Sequence, residues 1–182
     1  MTNGDTRHLD GVLEQVGTRW QLRFTRPLAH SQAKVWRAIT EADHLHAWFP
    51  FAIEGEMRTG APLRFVARDM HDVVLEGEMV EYRAPSLMEL RWDANETVRF
   101  EIEPAGDGCV LTLVNTFDEL GKAARDAAGW HGCLDALGHD LDGGRAPVQS
   151  EHEWKRLFAL YSMEFGPSAS SIGPPAEHPY SG

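Results

Sequence analysis

From Phe51 to Phe117 apolar residues recur at every second position in short runs, and beyond Phe117 the period changes. Leu63, Phe65 and Ala67 alternate with Arg64 and Arg68. Met88, Leu90 and Trp92 share one face of a later run. Val98, Phe100 and Ile102 alternate with Arg99, Glu101 and Glu103, and Cys109, Leu111, Leu113 and Phe117 close the series. A period of two sends one face of each strand into a core and the other into water. Turn residues separate the runs: Arg58-Thr59-Gly60, Ala84-Pro85-Ser86, Asp93-Ala94-Asn95 and Gly106-Asp107-Gly108. Five or six strands joined this way form an antiparallel meander. Trp130, Leu134, Leu137 and Leu141 then stand at spacings of four, three and four, which is one face of a helix over about 122–141. Gly143-Gly144 ends it.

Upstream, Val12–Val16 and Trp20–Phe24 flank Gly17-Thr18 as a hairpin, and Pro27 is expected to break the second strand. Ser31 caps a helix carrying Val35, Trp36 and Ile39. Thr40 opens a second short helix with Leu45, Trp48 and Phe49, stopped by Pro50. Downstream, Ser150 and Glu153 form a capping-box pattern ahead of Trp154, Leu157, Phe158, Tyr161 and Phe165, so an additional helix is expected over 149–165. Residues 166–182, rich in Pro, Ser and Gly, read as a disordered tail. Helices segregated to one side of an antiparallel sheet give an α+β, two-layer architecture, and a strongly twisted sheet can wrap one helix.

Lys and Arg number 17 against 28 Asp and Glu, a net charge of −11. Such a surface repels nucleic acid and anionic membranes, so no nucleic acid is expected as partner. No run approaches the ~20 apolar residues of a membrane span, so no membrane insertion is expected, and the first residues lack the pattern of a signal peptide. The cytoplasm is the expected location.

The stretch Phe24-Thr25-Arg26-Pro27-Leu28-Ala29-His30 into Lys34-Val35-Trp36-Arg37-Ala38-Ile39-Thr40, then Leu45-His46-Ala47-Trp48-Phe49, resembles the opening of the SRPBCC (START-like) superfamily. The branch it resembles is that of the homologues of the activator of the heat-shock-ninety chaperone ATPase. Gly108–Phe117 and Gly129–Leu137 are similar to that branch's last strand and closing helix. The resemblance covers about 11–142. It implies a helix-grip fold, a curved antiparallel sheet around a long C-terminal helix, with a cavity that elsewhere in the superfamily holds lipids, sterols, polyketides or plant hormones.

On that fold the inner faces carry many aromatic residues, which fill cores by default and line apolar pockets in the sharper reading. Trp48, Phe65, Trp92, Phe117, Trp130 and Leu134 are the candidate apolar wall, with Asn115 and His131 as its polar contacts. No catalytic residue is singled out: Gly-x-Ser-x-Gly, the phosphate loop and the dinucleotide fingerprint are missing. No metal site is expected, since His44 and His46 fall on different helix faces and neither HExxH nor Cys-x-x-Cys occurs. No cofactor is expected. Cys133 reads as a small buried thiol.

Three functions follow. The first is a non-enzymatic binding module for a small hydrophobic or amphipathic molecule, gated by the short helix near Trp48. The second is a cyclase- or hydrolase-like enzyme using a cavity His or carboxylate. The third is a regulatory protein with a chaperone or other protein partner.

Overall fold

The computed structural model of the protein describes residues 9–68, 73–144 and 150–173. Eight strands form one antiparallel sheet: β1 (Gly11–Val16), β2 (Arg19–Leu28), β3 (Phe51–Gly55), β4 (Pro62–Ala67), β5 (Val74–Arg83), β6 (Leu87–Asp93), β7 (Glu96–Ala105) and β8 (Gly108–Phe117). Their order is β1-β2-β8-β7-β6-β5-β4-β3. The meander β3–β8 thus closes onto the N-terminal hairpin, with Trp20 opposite Phe117 and Leu28 opposite Cys109. Four helices pack with the sheet: α1 (Gln32–Thr40), α2 (Ala42–Trp48), α3 (Ala123–Leu141) and α4 (Glu151–Phe165). This is the α+β architecture expected from the change of period, in the helix-grip form that the resemblance implies.

The alternation in sequence is the alternation in burial. Leu63, Phe65, Met79, Leu90, Val98, Phe100, Leu111 and Leu113 all lie on the inner face and are buried. The outer face carries ion-paired rows. Arg99 on β7, for example, reaches Glu81, Glu89 and Glu101 at 3.0, 2.9 and 2.5 Å. α3 presents Trp130, Leu134, Leu137 and Leu141 inward, and four alanines, Ala123, Ala124, Ala127 and Ala128, pack its first turns.

Three local expectations are corrected. Pro27 stays inside β2, opposite Val110. Among the described residues β1 pairs with β2 only as far as Phe24, so Pro27 lies beyond that pairing, where an absent N–H costs little. Thr40 ends α1 rather than opening α2: its hydroxyl donates to the Trp36 carbonyl at 2.7 Å, and Glu41 occupies the cap of α2. Residues 166–173, read as tail, are packed. Ala169 is buried in a 3-10 turn, and the Ile172 N–H donates to the Gly121 carbonyl at 3.0 Å. The remainder of that expected tail, 174–182, and Gln149 at the start of the expected extra helix lie outside the described residues.

α4 begins as its sequence predicts, with Ser150 Oγ accepting from the Glu153 N–H at 3.1 Å. Trp154, Leu157 and Tyr161 bury one face against the core. Its contact with β1 depends on Gly11: a Cβ there would lie 2.7 Å from the Phe24 ring and 2.8 Å from the Tyr161 hydroxyl. The missing side chain lets Tyr161 reach the backbone of β1.

Candidate functional site

Aromatic rings from β3, β4, β6, β7 and α3, and from the residue that follows α2, converge on one cluster. Trp92 on β6 and Trp130 on α3 stack with centroids 6.0 Å apart and planes 18° apart. Phe49, just past α2, lies 6.1 Å from Trp130, 6.3 Å from Trp92 and 6.4 Å from Phe100 of β7. Phe65 of β4 meets Trp92 edge-on at 5.7 Å, and Phe51 of β3 touches both. Offset and edge-to-face pairs are the arrangements aromatic quadrupoles favour. Phe49, Phe65, Phe100 and Trp130 are buried, whereas Phe51 and Trp92 are half-buried. The cluster therefore reaches the surface at those two rings.

A polar chain leads out from it. The Trp130 indole N–H donates to Asn115 Oδ1 at 3.2 Å. Asn115 Nδ2 donates to Glu96 Oε1 at 3.0 Å and to the Thr97 carbonyl at 3.2 Å. Glu96 accepts in turn from Lys122, whose ammonium also stands 3.3 Å from Asp126 and 5.2 Å above the Phe117 ring. Burial pulls the Lys122 pKa down, but Asp126 and Glu96 together outweigh it and the net direction is up. The chain ends at a cleft of about 160 Å³ between Asp93, Asn95 and Glu96 on one side and Phe117, Asp118 and Lys122 on the other.

His131 belongs to a different group. It faces α4 and β1, with Nδ1 2.9 Å from the Tyr161 hydroxyl and 3.2 Å from Asp10 Oδ1, and Nε2 3.7 Å from Asp135. Arg26 bridges the two carboxylates, at 2.5 Å from Asp10 and 2.7 Å from Asp135.

The eight candidate residues thus divide. Phe65, Trp92 and Trp130 form the aromatic cluster, and Trp48 adjoins it through Phe49 and Phe100 at 5.3 and 5.9 Å. Trp48 is buried and its indole N–H is spent on the Ala38 carbonyl at 2.9 Å. Asn115 serves the cluster as its polar contact. Phe117 lies at the outer cleft, Leu134 is in the general core, and His131 is turned away. Phe51, Glu96 and Lys122 are additions that alternation alone does not mark. The Lys122–Asp126 spacing of four is a signal for Lys122 alone.

Two further histidines are paired and both cysteines are shifted by burial. His30 contacts Asp142 at 2.8 Å and His44 contacts Asp140 at 2.7 Å. Burial pushes the Cys133 thiol up to about 12 and the Cys109 thiol up as well, the reverse of what a reactive thiolate needs. Among the described residues no three His, Cys, Asp or Glu side chains are grouped to hold a metal ion, and no helix is long and apolar enough to cross a membrane.

Solved structures share this architecture. A conserved protein of unknown function, EF2215 from Enterococcus faecalis, is 19% identical with a TM-score of 0.69, over 85% of this chain and 89% of its own. CalU16 from Micromonospora echinospora is 17% identical with a TM-score of 0.70, over 85% of this chain and 96% of its own. DynU16, from the dynemicin biosynthetic locus, is 18% identical with a TM-score of 0.61, over 70% of this chain and 49% of its own. At such identities the likeness is one of fold. No protein of curated function matches the chain. The family model described as Activator of Hsp90 ATPase homolog 1-like protein matches residues 29–141, from just before α1 to the end of α3, and with the sheet and grip helix described above the chain belongs to that family, within the SRPBCC superfamily.

Proposed function

We propose that the protein is a non-enzymatic binding module for a small apolar or amphipathic molecule, taken up at the Trp92–Trp130 stack. The observation that carries this reading is the composition of the stack. It is a largely apolar, aromatic surface with one anchored polar contact, and it is half-open at Trp92 and Phe51. Sites for small molecules combine apolar walls with a few placed polar groups. A flat or ring-bearing ligand would enter by parting Trp92 from Phe51 and would exchange ring–ring contact for ring–ligand contact at little net cost. The location of DynU16 in a biosynthetic locus supports a small-molecule role for the fold. We place the protein in the cytoplasm, in keeping with its two unpaired cysteines.

The test is native mass spectrometry of the protein purified gently from its own host, beside the Trp92→Ala variant. A stoichiometric adduct that is lost on denaturation and absent from the variant supports the reading. An adduct that persists in Trp92→Ala overturns it. So does a bare protein whose tryptophan fluorescence is unmoved by a panel of ring-bearing amphiphiles.

A further inference from the structure

We propose that His131 is a pH-operated latch for α4: uncharged, it fastens the helix to the sheet edge, and on taking up a proton it releases it.

The argument begins with Tyr161. Its ring is fully buried, and its hydroxyl oxygen accepts the Gly11 N–H at 3.1 Å. The hydroxyl proton needs an acceptor of its own, and His131 Nδ1 stands 2.9 Å away. With its own proton on Nε2, towards Asp135, neutral His131 completes a chain running from β1 through α4 to α3. Each hydrogen bond in that chain is buried, and it joins residues 150 apart in sequence.

Protonation reverses the chain. Nδ1 becomes a donor and can no longer accept from Tyr161. A new acceptor is in place: Asp10 Oδ1 lies 3.2 Å from Nδ1, is buried, and accepts no hydrogen bond among the described residues. His131 therefore exchanges α4 for the residue that precedes β1. Among the described residues the buried Tyr161 hydroxyl proton then has lost its acceptor, and an unsatisfied buried polar group opposes the packing that keeps it there.

The charges around the ring set the direction. Asp10 ahead of β1, Arg26 on β2, Asp135 on α3 and Arg156 on α4 act on it, together with its burial. Burial is the largest influence and lowers the His131 pKa. Asp10 and Asp135 oppose it, Arg26 and Arg156 reinforce it, and the net direction is down. Arg26, paired to both carboxylates, already consumes much of their charge. A folded-state pKa below the ordinary histidine value of about 6.5 means that the latch is closed at neutral pH. Its contribution is fully present above that value and is lost as pH falls through the folded one. The His30–Asp142 and His44–Asp140 pairs lie at the C-terminal end of α3, nine or more residues beyond His131, and join it to the segment before α1 and to α2.

The test is hydrogen exchange of the full chain, corrected for intrinsic rates, between about pH 8 and about pH 5, with the His131 ring followed by NMR. We expect protection in α4 to fall roughly tenfold as His131 takes up its proton, the size of effect one buried hydrogen bond carries. Protection in β7 and β8 should not change. Tyr161→Phe, which lacks the hydroxyl, should exchange α4 at the released rate at both ends of the range. His131→Gln, which keeps an acceptor but does not titrate, should show no pH step and serves should the phenylalanine variant fail to fold. A His131 ring that titrates at or above the ordinary value overturns the proposal. Level or rising protection in α4 as the ring protonates does so too, as does a pH step that survives in either folded variant.

Discussion

Asn115 and Trp130 are joined at 3.2 Å, and the amide is oriented by its other partners: with Nδ2 committed to Glu96 and Thr97, Oδ1 must face the indole. Asn115 is fully buried, one of two buried polar residues among those described. It holds the Trp130 ring against Trp92 by a bond as well as by packing. Replacing Asn115 by Leu keeps the volume near and removes every hydrogen bond at once. The indole N–H then loses its partner, and Glu96 Oε1 loses the amide while Glu96 Oε2 keeps Lys122. We expect Asn115→Leu to cost about 2–3 kcal/mol, read from equilibrium urea unfolding.

Trp130 is the hub of the ring cluster, in contact with Phe49, Trp92 and Phe100. Trp130→Ala is expected to leave a void lined by those rings and to cost about 3–5 kcal/mol. Trp130→Phe keeps much of the ring contact and loses the N–H, so it should fall between wild type and alanine. A calorimetric series over the three proteins orders them. A Trp130→Ala protein as stable as wild type would show that these rings do not carry the core.

Lys122 supplies the pH-dependent case. Its ammonium sits between Glu96 and Asp126, and its pKa is raised in the folded protein because those carboxylates outweigh its burial. A raised folded value means that the stabilisation is fully present below the ordinary lysine pKa of about 10.4 and disappears as pH rises through the folded value. Lys122→Met leaves two carboxylates, each largely buried, without their shared cation. It should cost about 3–5 kcal/mol near neutrality. The gap between wild type and variant should narrow on the alkaline side, which urea unfolding at a series of pH values would follow.

Much of the architecture was legible because it rests on period and punctuation. The five or six strands expected from Phe51 onward are β3–β8, and the spacing of Trp130, Leu134, Leu137 and Leu141 is the inward face of α3. Ser150 capped α4 for the local reason that its sequence states. What sequence did not carry were relationships between distant elements. Pro27 was tolerated because β1 is shorter than β2, which only the register reveals. His131 shares α3 with Trp130 yet faces α4, because one residue along a helix is a rotation of about 100°. Tyr161 read as one more apolar position, and nothing local marks its hydroxyl as the cap of Gly11. Phe51, the first residue of β3, lies against Phe65 and Trp92, a contact between strands that its place after Pro50 does not mark.

Two glycines give opposite expectations for one and the same substitution. Gly77, in the middle of β5 opposite Leu63, leaves no room: a Cβ there would stand 1.9 Å from the Arg91 carbonyl oxygen and 2.8 Å from the Phe65 ring. The first contact is backbone and cannot rotate away, so the sheet would have to part between β5 and β6. Phe65 would be pushed from its edge-on place against Trp92. Gly77→Ala should therefore cost about 3 kcal/mol or more, at the upper end of overpacking penalties, and should disturb the near-ultraviolet dichroism of the ring cluster. Gly129, inside α3, has nothing within 4 Å of the corresponding position. There alanine supplies helix propensity and removes freedom from the unfolded chain, and Gly129→Ala should stabilise by about 0.5–1 kcal/mol. Thermal unfolding of the two variants beside wild type checks both signs. A tolerated alanine at Gly77 would mean that β5 and β6 do not approach as closely as described. A destabilising one at Gly129 would mean that the outer face of α3 is covered by a part of the chain beyond the described residues.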